Sequence, residues 1–61
     1  MKMERLIAII MLLMERETVS TRELAERLEV SRRTIFRDID TLGMAGVPVV
    51  VTRGANGGVG L

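Results

Sequence analysis

Arg32, Arg33, Thr34 and Arg37 fall within the stretch Ser31-Arg32-Arg33-Thr34-Ile35-Phe36-Arg37-Asp38-Ile39-Asp40. Guanidinium and hydroxyl groups packed this closely suit the recognition of anions and base edges. Take the stretch as a helix with Ile35 facing inward at 0°. Arg33 then lies at about 160° and Arg37 at about 200°, one turn apart on the outward face. Thr34 at about 260° and Arg32 at about 60° flank them. Such a face fits a DNA major groove. Arginine bonds guanine O6 and N7 in bidentate fashion, and threonine meets a base edge or a thymine methyl. Residues at the start of a recognition helix are those that reach bases. The plainer alternative is a solvated face, diluted by Asp38 and Asp40. Asp38 is expected to pair with a neighbouring arginine and hold it in place.

The composition bounds what else these residues can do. Sixty-one residues make one domain, 1–61, in which about 60% of the unfolded surface is buried. Cysteine, histidine, tyrosine and tryptophan are absent. That removes thiolate metal ligands, the commonest zinc ligand and the commonest general base, so no enzyme, metal site or cofactor is expected. Net charge is +1, from nine basic and eight acidic residues, but it is unevenly spread. Residues 31–61 hold four arginines and two aspartates, and a local patch attracts polyanions whatever the total. Phe36, the single aromatic residue, is expected to pack at the core edge. RNA modules that stack bases use several aromatics, which disfavours RNA.

These arginines need a frame to hold them. From Lys2 to Glu17 there is neither glycine nor proline, and Leu, Met, Glu and Arg predominate, all good helix formers. Met3, Leu6, Ile10, Leu13 and Met14 are expected on one face. Ala8, Met11 and Leu12 are expected on another, as a surface for a partner domain or a second copy of the chain. The apolar run Leu6–Met14 is far shorter than the roughly 20 residues that span a bilayer, so the expected setting is cytoplasmic and away from membranes. Ser20-Thr21-Arg22-Glu23 is a capping-box pattern that opens a second helix from Thr21 to about Leu28, with Leu24, Ala25 and Leu28 inward. The free amides near Thr21 and Arg22 favour a phosphate. Ser31 caps a third helix from Arg32 to about Leu42, with Ile35, Ile39 and Leu42 inward. Two short helices joined this tightly suggest a helix-turn-helix.

Val47-Pro48-Val49-Val50-Val51-Thr52 then reads as a strand. The final "TRGANGGVGL" matches no nucleotide-binding glycine loop, and no helix follows it. Asn56-Gly57 instead signals a hairpin turn, with Gly58–Leu61 returning. Arg53, beside the tip, is placed to touch a phosphate or the minor groove. The fold class is therefore mainly α with a small β-hairpin, a winged helix-turn-helix.

"ELAERLEVSRRTIFRDIDTLGMAGVPVV" followed by "GANGGVGL" resembles the winged helix-turn-helix of bacterial WYL-domain transcriptional regulators, related to the DeoR-like regulators. The resemblance runs from Arg5 to Leu61. It implies sequence-specific binding of double-stranded DNA, with Ser31, Arg32, Arg33, Thr34 and Arg37 in the recognition helix and Arg53–Gly58 in the wing. It also implies a C-terminal WYL effector domain beyond this chain. Val59 stands where many relatives carry tyrosine, and Glu29 where helix-turn-helix turns often have glycine. Regulators usually pair half-sites, so a homodimer is expected. The rival reading is a winged helix that contacts protein through the apolar face of the first helix.

Overall fold

The computed structural model describes residues 2–52 and 58–61, the side chain of Lys2 excepted. The turn expected at Asn56-Gly57, and Arg53 beside it, lie outside the described residues. Three helices are followed by a two-stranded antiparallel hairpin: α1 (Lys2–Glu15), α2 (Thr21–Leu28), α3 (Arg32–Met44), β1 (Val50–Thr52) and β2 (Gly58–Gly60). This is a winged helix-turn-helix. Among the described residues, no helix is long and apolar enough to cross a membrane.

The helix ends follow from local chemistry. Ser20 has extended backbone, and its hydroxyl accepts from the Glu23 N–H at 3.0 Å. Ser31 does the same for the Thr34 N–H at 3.1 Å. Each satisfies one of the amides that a helix start leaves unpaired. At the end of α2, the Val30 N–H donates to Ala25 C=O at 3.0 Å and the Glu29 N–H to Glu26 C=O at 3.4 Å. At the end of α3, Val47 donates to Leu42 at 3.0 Å and Gly46 to Gly43 at 3.1 Å. Both are Schellman closures, which need a left-handed residue at the turn.

Gly46 fills that position in α3 with φ 92°, while Glu29 fills it in α2 with φ 56°. Glycine meets this conformation without strain, whereas a residue with a Cβ does not. Glu29→Gly is therefore expected to stabilise the fold by about 0.5–1 kcal/mol, the relief of strain less the added freedom of the unfolded chain. Chemical denaturation reads this, and a loss of stability would contradict it.

The core consists of Ile9, Leu13, Val19, Leu24, Ala25, Ile35, Ile39, Leu42 and Val59. The inward stripe of α3 is the expected one. In α2, Leu24 and Ala25 are buried, and Leu28 packs partly against them. α1 differs from expectation. Met3 and Met14, expected inward, are exposed, while Ile9 is fully buried. Leu12, expected on the partner surface, packs partly against the core. Ala8 is half-buried, and Met11 is exposed as expected. With Ile9 at 0°, Leu12, Leu13, Leu6 and Ile10 fall between about −60° and 100°. Met3, Met14, Ile7 and Met11 fall between about 120° and 200°, the solvent side. A helix that is apolar nearly all round gives its sequence pattern no contrast from which to set the roll.

The strand expected from Val47 begins at Val50 instead. The Val47 and Val49 amides are used in turns, donating to Leu42 and Val47. β1 pairs with β2 in the register Val50 with Gly60, Val51 with Val59 and Thr52 with Gly58. On its other side β2 meets Val19, and Val19 and Val59 exchange N–H···O bonds of 2.9 and 2.8 Å. β2 is thus the middle of three extended segments. It is buried throughout, whereas β1 is exposed throughout.

Two glycines in β2 serve this close approach. A Cβ on Gly60 would stand 2.7 Å from the Glu17 carbonyl oxygen, and one on Gly58 3.1 Å from that of Val19. The contact at Gly60 is with backbone, which cannot swing aside. Gly60→Ala should therefore cost about 1–3 kcal/mol, seen as a lower denaturation midpoint. A midpoint unchanged from the parent chain would show that the 17–19 segment yields freely.

Candidate nucleic-acid interface

α3 presents its polar face outward because three apolar residues hold its other side. Ile35, Ile39 and Leu42 are buried, and Arg33 and Arg37 are exposed. Thr34 is half-buried, and its hydroxyl lies 3.1 Å from Ser31 Oγ. That contact fixes the short polar side chains at the start of the helix. Arg32 leans toward α2, where its Nε donates to Thr21 Oγ1 at 3.3 Å. The starts of α2 and α3 are therefore joined through these two side chains.

The charge pairing singles out α3. Arg16 pairs with Glu23, and Arg27 reaches the same carboxylate at 3.3 Å. Arg22 stands 3.6 Å from Glu26 in an exposed i, i+4 pair, which is easily broken by a competing phosphate. Among the described residues, the guanidiniums of Arg33 and Arg37 have no carboxylate or other hydrogen-bond acceptor. Among the described residues, the arginine charge free of carboxylates is concentrated on the outward face of α3.

Asp38 departs from the expectation of a surface pair on its own helix. It is buried, with 1% exposure, and accepts two bonds from Arg5 of α1: Nε to Oδ2 at 2.5 Å and Nη2 to Oδ1 at 3.0 Å. The hydrogen bond to Asp38 raises the Arg5 guanidinium above its usual value. Desolvation works against this, and Coulombic attraction to the same carboxylate adds to it. The structure commits the Arg5 guanidinium to Asp38. One signal pointed to a buried Asp38: helical spacing sets it about 60° from the core direction of α3. Its partner, 33 residues away, left no local trace. Phe36, expected at the core edge, is 43% exposed, because its margin of α3 faces solvent. Arg5, Val30, Thr34, Arg37 and Asp38 line one shallow groove beside the outward face of α3.

Two serine-capped helices joined by a tight turn, with an antiparallel hairpin packed through Val19, define the helix-turn-helix class with a wing. The chain belongs to the HTH domain family, whose pattern matches residues 5–60. It is 51% identical, over all 61 residues, to the uncharacterized HTH-type transcriptional regulator YobV of Bacillus subtilis (strain 168). The chain spans about one fifth of that relative's length, 20%. No solved structure matches it at a significant level.

Proposed function

We propose that the chain is the DNA-binding domain of a bacterial transcriptional regulator, not an enzyme, and that it binds double-stranded DNA in a sequence-specific manner in the cytoplasm. The observation that carries this is the unpaired state of Arg33 and Arg37 on the outward face of α3, while the other described arginines are engaged. In this reading α3 enters the major groove. Arg33, Arg37 and Thr34 meet base edges, and Ser31 and Arg32 lie at its rim. Thr21 and Arg22 at the start of α2 meet a phosphate. The wing, about residues 53–58, flanks the groove, with Arg53 on a phosphate. The likeness to a longer HTH-type regulator supports the view that this domain works within a larger protein, for which we propose the WYL, DeoR-like type with an effector domain after the wing. Selection from a random duplex pool tests the function. A recovered motif with a steep salt dependence is expected, and recovery of unselected sequence would refute it.

A second surface has its own support. Met3, Ile7, Met11 and Met14 form an exposed apolar stripe along α1, with Ala8 at its border. We propose that this stripe joins two copies into a homodimer that reads paired half-sites. Met11→Glu should then lower the dimer fraction in sedimentation without changing the fold, because Met11 is already 61% exposed. A monomer at millimolar concentration in the parent chain would exclude the homodimer at this face. A protein-interaction module acting through the same stripe, with solvated arginines, is the rival. It predicts no duplex motif at all.

A further inference from the structure

We propose that Arg5 and Asp38 are positioning residues for sequence readout. Their paired hydrogen bonds fix the roll of α3 about its own axis, and so decide which base edges Arg33, Thr34 and Arg37 meet. The inference rests on the DNA-binding reading above.

Asp38 stands at the margin between the two sides of α3. With Ile35 at 0°, it lies at about 300°, between Leu42 at about 340° and Thr34 at about 260°. The apolar contacts of Ile35, Ile39 and Leu42 hold the helix to the core, but apolar burial is non-directional and resists a small roll weakly. An arginine fork on a carboxylate is directional, because two parallel bonds fix orientation as well as distance. Side-chain tips ride at about 5–6 Å from the helix axis, so a 10° roll moves them by roughly 1 Å. That displacement exceeds the distance range over which a good hydrogen bond survives.

The pair is also well placed to act on the reading face. Arg5, Asp38, Thr34 and Arg37 line the same groove. Asp38 is 1% exposed and Arg5 25%, so the bonds are shielded on one side by the core. A buried ion pair is by itself weak evidence of added stability, since apolar residues of like volume often serve as well. A role in orientation explains what an apolar pair at these positions would not supply. Arg5 also neutralises a carboxylate that would otherwise sit beside Arg37 and oppose a phosphate.

The test compares the parent chain with Arg5→Lys, Asp38→Asn and, as a control for stability, Ile39→Val. Lysine keeps the charge and loses the fork. Asparagine keeps the shape and loses the charge. Affinity is measured for the selected duplex and for its single-base-pair variants at several salt concentrations, beside thermal melting. Arg5→Lys should keep the parent's salt slope, because the charges and the phosphate contacts are unchanged. Both pair variants should lose about 10-fold in discrimination at the positions α3 reads. Ile39→Val should lose stability and keep the parent's preference. Parent-like discrimination in both pair variants overturns the proposal. So does an equal loss of discrimination in Ile39→Val, or failure of both pair variants to fold where Ile39→Val folds, since either leaves only a structural role. If the parent chain itself selects no motif, the DNA-binding reading fails instead.

Discussion

Arg33→Glu combined with Arg37→Glu is expected to weaken duplex binding by about 100-fold or more, at roughly 1–3 kcal/mol for each lost contact. The melting temperature should stay close to that of the parent chain. Both side chains are exposed and make no ion pair among the described residues, so their replacement removes nothing that holds the fold. The same two observations make the loss of binding large. Arginines already free of carboxylates give up no internal bond when they meet DNA, so the full interaction appears as affinity. Fluorescence anisotropy with the selected duplex, paired with thermal melting, separates the two effects. Unchanged duplex affinity in the double variant would refute the DNA reading. Arg53→Ala offers a contrast, since loss of a phosphate contact lowers affinity for all sequences more evenly and reduces the salt slope by about one.

Ile35→Ala is expected to cost about 2–5 kcal/mol. Ile35 is fully buried, and it lies on the inward side of α3 among the core residues of α1 and α2. Removing three carbons there leaves a cavity in a core that has nine buried apolar residues among those described. A chain of 61 residues has a total stability of about 3–9 kcal/mol, so this variant should be largely unfolded at moderate temperature. Ile35→Val, which trims one methylene group, should cost about 0.5–1.5 kcal/mol. Urea denaturation followed by circular dichroism measures both. If Ile35→Ala cost less than Ile35→Val, the inward face assigned to α3 would be wrong.

The candidate site was legible in the sequence where it is local. Ser31, the spacing of Ile35, Ile39 and Leu42, and the arginines between them lie in one continuous stretch. One face of that stretch is apolar and the other charged, so the period of the helix alone assigns inward and outward sides. The same contrast served α2. It failed in α1, where apolar residues encircle the helix, and the face assigned to Leu12, Met3 and Met14 was corrected only by the packing around Ile9. Asp38 was hidden for another reason. Its wheel position hinted at burial, but a buried carboxylate needs a partner, and Arg5 lies on a different helix.

The sequence by itself determined the three helices, the serine caps of α2 and α3, the hairpin and the outward arginines of α3. Each depends on residues within a few positions of one another, where propensity and capping act. The tertiary structure alone decided the roll of α1, the bridge of Val19 to Val59, the need for Gly60 beside Glu17, and the bond from Arg5 to Asp38. It also decided which of the described arginines remain unpaired. These depend on groups brought together by burial of a common core. Burial is proportional to area and indifferent to direction, so only the assembled packing sets the directional bonds at its margins.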